Sequence, residues 1–131
     1  MKFSSLVPNL VTTDVARALA FYRDVLGFSV TMHVPDEAPF VFVGLQRGEV
    51  TVFLNAIEAV RQDLPDVPSL SPGHSGVSMF VQVEGVRDLW DALRGKTTVI
   101  MPIKDQWYGM TEFAITDPDG YVITFAERKA G

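Results

Sequence analysis

Cysteine is absent from the 131 residues, which excludes disulfides, thiolate catalysis and cysteine-ligated zinc and leaves the redox compartment open. Long apolar runs are missing as well. None approaches the roughly 20 residues of a membrane-spanning helix, and the opening Met1-Lys2-Phe3-Ser4-Ser5 lacks the apolar core of a signal peptide. A soluble, cytoplasmic protein is expected. Basic charge is in deficit, with 11 Lys and Arg against 16 Asp and Glu and a net charge of −5. Nucleic acid and anionic membrane both require a cationic surface to displace counterions, so neither is an expected partner. A cationic small molecule is compatible with the acidic balance.

The residues that are present suffice for one domain: 47 % are hydrophobic, enough for a core without metal or disulfide. Leu6 to Thr12 reads as a strand, demoted by Pro8 to an edge or a broken strand. Asp14 is a suitable N-cap for a helix whose stripe is Val15, Ala18, Leu19, Tyr22, Val25 and Leu26, ended by Gly27. Three strands follow, at 28–34, 40–45 and 50–56, joined by short turns. Residues 58–75, with Pro65, Pro68, Pro72 and Gly73, read as a linker or ordered loop. The pattern then restarts, with a strand at 77–83, a helix bearing Val86, Leu89, Trp90 and Leu93, and strands at 97–103, 109–116 and 121–125. Asp117-Pro118-Asp119-Gly120 is the turn between the last two.

The halves are one unit used twice. A shift of 71 residues carries Val15 onto Val86 and Leu19 onto Trp90, and it also lays Val50–Leu54 on Tyr121–Phe125. The expected fold class is therefore α+β, a tandem pair of βαβββ modules at about 3–57 and 76–128.

Two stretches, Phe21-Tyr22-Arg23-Asp24-Val25-Leu26-Gly27-Phe28 and Phe113 to Glu127 with its DPDG turn, resemble the vicinal oxygen chelate superfamily, which includes glyoxalase I, extradiol dioxygenases, fosfomycin-modifying enzymes and bleomycin-resistance proteins. The resemblance implies one domain whose modules form a curved mixed sheet around a cavity, commonly closed in part by a second subunit, so a homodimer is expected. In the metal-dependent members four positions hold the ion. Carried over by spacing they fall on Val7, Phe53, Ser78 and Thr124. Valine and phenylalanine offer no donor and a lone hydroxyl is weak, whereas such ions take imidazole and carboxylate. No metal and no other cofactor is expected at the usual site, and catalysis there is disfavoured. His33 and His74 are the remaining imidazoles; a glyoxalase-like lyase or dioxygenase with a displaced metal, or acid–base chemistry through Glu112 or Asp105, is the alternative.

Gln106-Trp107-Tyr108-Gly109 is similar to the Trp-Gly stretch of the bleomycin-resistance proteins, with Tyr108 intervening. Trp107, Tyr108, Phe40 and Phe42 could stack a flat heteroaromatic ligand beside Phe53, and Asp36, Glu37, Asp105 and Glu112 could neutralise a cationic one. The competing reading puts Phe40 and Phe42 in the core and Trp107 at a dimer seam. The function expected from these residues is sequestration of a planar small molecule by a metal-free binding protein of the bleomycin-resistance type.

Overall fold

Asp14 begins the first helix as its chemistry requires. Its carboxylate accepts from the Arg17 N–H at 3.0 Å, and α1 (Val15–Ala20) follows with Val15, Ala18 and Leu19 buried. In the computed structural model, which describes residues 1–66, 71–74 and 76–130, this helix continues as a π-helical turn at Phe21–Val25. The turn closes through Leu26 N–H to the Phe21 carbonyl at 3.0 Å. Gly27, at φ +74°, then reverses the chain, and Arg47 Nη1 donates to the exposed end of the helix at the Leu26 carbonyl, 2.7 Å away.

Strand β1 (Asn9–Thr12) begins just after Pro8, and β2 (Ser29–Val34), β3 (Phe42–Arg47) and β4 (Val50–Ala56) complete a sheet of order β1-β4-β3-β2. β1 lies parallel to β4, and the other pairs are antiparallel. Helix α2 (Ile57–Asp63) occupies the first part of the segment read as a linker. No side chain caps its start, which is why turn signals alone did not reveal it. Residues 67–70 and 75 of that segment lie outside the described residues.

The second module repeats the plan. β5 (Met79–Gln82), α3 (Val86–Leu93), β6 (Thr98–Asp105), β7 (Met110–Thr116) and β8 (Val122–Arg128) form a sheet of order β5-β8-β7-β6, again with the first strand parallel to the last. The chain divides into two compact units, Met1–Pro72 and Gly73–Gly131. The architecture is thus α+β, two mixed four-stranded sheets from tandem βαβββ modules.

Pairing bears out the repeat. The same shift of 71 carries Asn9↔Phe53 onto Phe80↔Thr124, and it carries buried Val52 and Leu54 onto buried Ile123 and Phe125. The DPDG turn closes through the Asp117 N–H to the Tyr121 carbonyl at 2.9 Å. Asp117 Oδ1 accepts from the N–H groups of Asp119 and Tyr121, and Gly120 takes φ +94°.

One face of each sheet is covered by its own module. In the second, Phe113 is fully buried, its ring 5.2 Å from Trp90 of α3 and 5.3 Å from Phe125. Phe113→Ala should lower unfolding free energy by about 3–5 kcal/mol, measured by urea titration, with Trp90 emission shifting to the red. A loss under about 1 kcal/mol would contradict this packing.

Candidate functional site

Alternation along the strands gives each sheet a second face, away from its helix. In the first module Val43, Leu45, Val52 and Leu54 are buried, and their neighbours Phe42, Gly44, Phe53 and Asn55 turn the other way. Phe42 and Phe53 meet edge to face with centroids 5.1 Å apart. Asn55 Nδ2 donates to Asn9 Oδ1 across the β1–β4 pair. Glycine is needed at 44, where a Cβ would stand 2.9 Å from both Met32 Cγ and Thr31 Oγ1. Met32 and Val34 are exposed, so the face is apolar at one edge and amide-bearing at the other.

Phe40 leads into β3 and tilts against His33, ring centroids 4.4 Å apart. His33 Nδ1 lies 2.9 Å from the Pro35 carbonyl, so the ring is held by backbone and an aromatic, with no carboxylate partner among the described residues. Phe40 and Phe42 are half-buried and stand outside the core; Asp36 and Glu37 are exposed in the β2–β3 loop. Of the four positions weighed for a metal, Val7 lies two residues before β1 and Ser78 immediately before β5, and Phe53 and Thr124 are half-buried on the last strands of their modules. Among the described residues no group of three or more His, Asp and Glu is arranged to hold an ion. The donor set does not fit the metal that the fold commonly carries.

In the second module Trp107 and Tyr108 form the β6–β7 turn with Gly109, whose φ is +90°. Trp107 is 93 % exposed and stands edge-on to Tyr108 at 5.3 Å. The rings diverge: the Tyr108 hydroxyl reaches back to donate to Glu112 Oε1 at 2.5 Å, and Gln106 Nε2 donates to the same oxygen at 3.1 Å. Glu112 itself is only 5 % exposed. The carboxylate raises the Tyr108 pKa, chiefly by accepting its proton in a hydrogen bond and secondarily through desolvation. Gln106 is a partner that residue type alone did not reveal, since its role depends on the turn that folds it back.

Asp105 belongs to a different group. It accepts from the Thr111 hydroxyl at 2.6 Å and has Arg87 and Lys129 each at 3.5 Å. The Thr111 bond, followed by these cations, holds its carboxyl below the usual range. It borders an open depression of about 420 Å³ at the start of α3. There Glu127 accepts from the N–H groups of Gly85 and Val86 at 3.0 and 3.1 Å, capping the helix from β8 because Gly85 has no side chain to do so.

The family model for the glyoxalase/bleomycin resistance protein/dioxygenase superfamily matches residues 4–125. The chain belongs to this superfamily. Among curated relatives, the bleomycin resistance proteins of Geobacillus stearothermophilus and Staphylococcus aureus are each 26 % identical over 129 residues, covering 93 % of this chain and 95 % of theirs. Among solved structures, TioX from Micromonospora sp. ML1 superposes with a TM-score of 0.77 at 21 % identity, covering 96 % of this chain and 99 % of its own. The bleomycin-binding protein of Streptomyces verticillus, solved with copper(II)-bleomycin, gives 0.65 at 24 % identity over 100 % and 98 %. These structural likenesses establish the glyoxalase-type fold. No helix among the described residues is long and apolar enough to cross a membrane.

The Glu127 cap within this superfamily domain has a pH signature. The two backbone bonds depress its pKa in the folded state, so its contribution is present above the unfolded carboxylate pKa and fades as pH falls through the folded one. Glu127→Gln should melt below wild type at neutral pH, with the gap closing as acid is added. A gap independent of pH in thermal melts would show that the charge does not cap α3.

Proposed function

We propose that this protein is a metal-independent small-molecule binding protein of the bleomycin-resistance type, acting as a cytoplasmic homodimer that sequesters a planar, cationic compound. The two modules form one functional domain, bounded at about 3–57 and 76–128. The observation that carries the reading is the chemistry of the last strands: where a metal-dependent member of this fold would hold its last-strand ligands, β4 and β8 present Phe53 and Thr124. Loss of that donor set removes the Lewis acid on which the enzymes of the family depend. Aromatic side chains and carboxylates remain. Bleomycin resistance proteins among the curated relatives, and a bleomycin-binding protein among the structural ones, support ligand capture.

In this reading Trp107 is the principal stacking residue, its ring exposed and stiffened by Tyr108, with Phe40, Phe42 and Phe53 as further aromatic contacts. Asp36 and Glu112 supply negative charge. A second subunit would shelter Trp107 from water, which reconciles stacking with the alternative role at a dimer seam.

Titration with bleomycin should quench tryptophan emission, and Trp107→Phe should abolish the quench. Trp90, packed against Phe113, contributes emission that does not respond. Quenching that survives in Trp107→Phe would contradict the assignment of the stacking residue. A stoichiometric transition metal found by elemental analysis of protein purified without chelator would contradict the metal-independent reading.

A further inference from the structure

Glu112 carries one feature that stacking does not explain. The Tyr108 hydroxyl and the Gln106 amide both donate to Oε1, while Oε2 is buried and has no hydrogen-bond partner among the described residues. Leaving a buried carboxylate oxygen unpaired is costly, and such groups are normally satisfied.

None of the described residues around it bonds Oε2. Phe113 faces α3, so alternation places Glu112 and Ala114 on the opposite face of β7. Across the strand pair, Glu112 lies opposite Ala126 and Ala114 opposite Thr124. The side chains of Ala114 and Ala126 are methyl groups. Lys104, paired with Glu112 from β6, is exposed and does not bond Oε2. The irregular pairing between Met101 and Lys104 breaks the regular cross-strand spacing that would bring the two side chains together.

We propose that Oε2 of Glu112 is the anchor for an N–H-bearing cation on the ligand, a protonated amino-heteroaromatic or amidinium group. The inference rests on the ligand-capture reading above and narrows its ligand class. Tyr108 and Gln106 act as positioning residues. By both bonding Oε1 they fix the carboxylate plane and leave Oε2 buried but unbonded, so its orientation is set before a ligand arrives. An N–H donated to Oε2 is a charge-assisted bond in a water-poor setting. A quaternary cation without N–H supplies charge but no such bond.

The test uses three acridines of nearly equal area. 9-Aminoacridine is a cation with N–H donors, N-methylacridinium is a cation without them, and acridine at pH 8 is neutral. Dissociation constants are measured by fluorescence for wild type, Glu112→Gln and Lys104→Met, with melting temperatures of the ligand-free proteins. Wild type should bind 9-aminoacridine roughly tenfold or more tightly than either comparator, the order expected of a hydrogen bond to a charged group. Glu112→Gln should erase that preference while the ligand-free protein melts no lower than wild type. Lys104→Met should change neither quantity.

Three results would overturn the proposal. Preference for 9-aminoacridine that survives in Glu112→Gln places the recognition elsewhere. A marked fall in the melting temperature of ligand-free Glu112→Gln, including failure to fold, means that the carboxylate is satisfied within the fold. Equal wild-type binding of all three compounds shows no N–H anchor. Bleomycin bound without discrimination among the acridines removes this inference alone, whereas failure to bind bleomycin or any acridine removes ligand capture as well.

Discussion

Parallel pairing of the first strand of each module with its last is the constraint from which the rest follows. β1 meets β4 and β5 meets β8 side by side, and parallel neighbours cannot be joined by a tight turn. A helix therefore follows each first strand, and two antiparallel strands intervene before the chain returns. The helix covers one face of the sheet and buries the alternate residues there, Val52 and Leu54 in one module and Ile123 and Phe125 in the other. The opposite face is left for side chains that the module's own core does not require. That second face can change without dismantling the first, and the proposed ligand contacts Phe42, Phe53 and Glu112 lie on it.

The two modules have used the freedom differently. The first bears an aromatic pair, Phe42 and Phe53, beside the Asn9–Asn55 amide contact. The second bears small residues, Ala114 and Ala126, with a buried carboxylate held by two donors on one side. Phe53 and Thr124 occupy equivalent register positions and neither is a metal ligand of the usual kind. Duplication preserved the topology while the chemistry of the faces diverged.

Local rules made much of this legible beforehand. Asp14 and Gly27 bound the first helix because a carboxylate satisfies free N–H groups and glycine accepts positive φ. The strand read over Leu6 to Thr12 forms only at Asn9–Thr12, because Pro8 has no N–H to enter the sheet. The DPDG turn and the 71-residue register located β8 through the alternation of Ile123 and Phe125. The π-turn at Phe21–Val25 was not legible, since the apolar stripe there fits an α-helix equally well. Helix α2 was hidden because Ala56 offers no capping side chain. The strands run two or three residues beyond their apolar cores at Gln46–Arg47, Lys104–Asp105 and Ala126–Arg128, where backbone pairing continues after the hydrophobic signal stops. Glu112 was recognisable as a candidate acid, but its burial was not, because it lies between Thr111 and Phe113 in a strand buried on both faces. Its clamp depends on a turn that brings Gln106 and Tyr108 back onto it.

The proposal that most needs a direct test is that side chains on the sheet faces away from the helices contact the ligand. Amide and methyl NMR shifts during bleomycin titration of isotope-labelled protein test it directly. Perturbations concentrated at Phe53, Asn55, Glu112, Ala114 and Ala126, with Trp107, are the predicted result. Perturbations confined to Arg87, Asp105 and Lys129 around the depression at the start of α3 would contradict it.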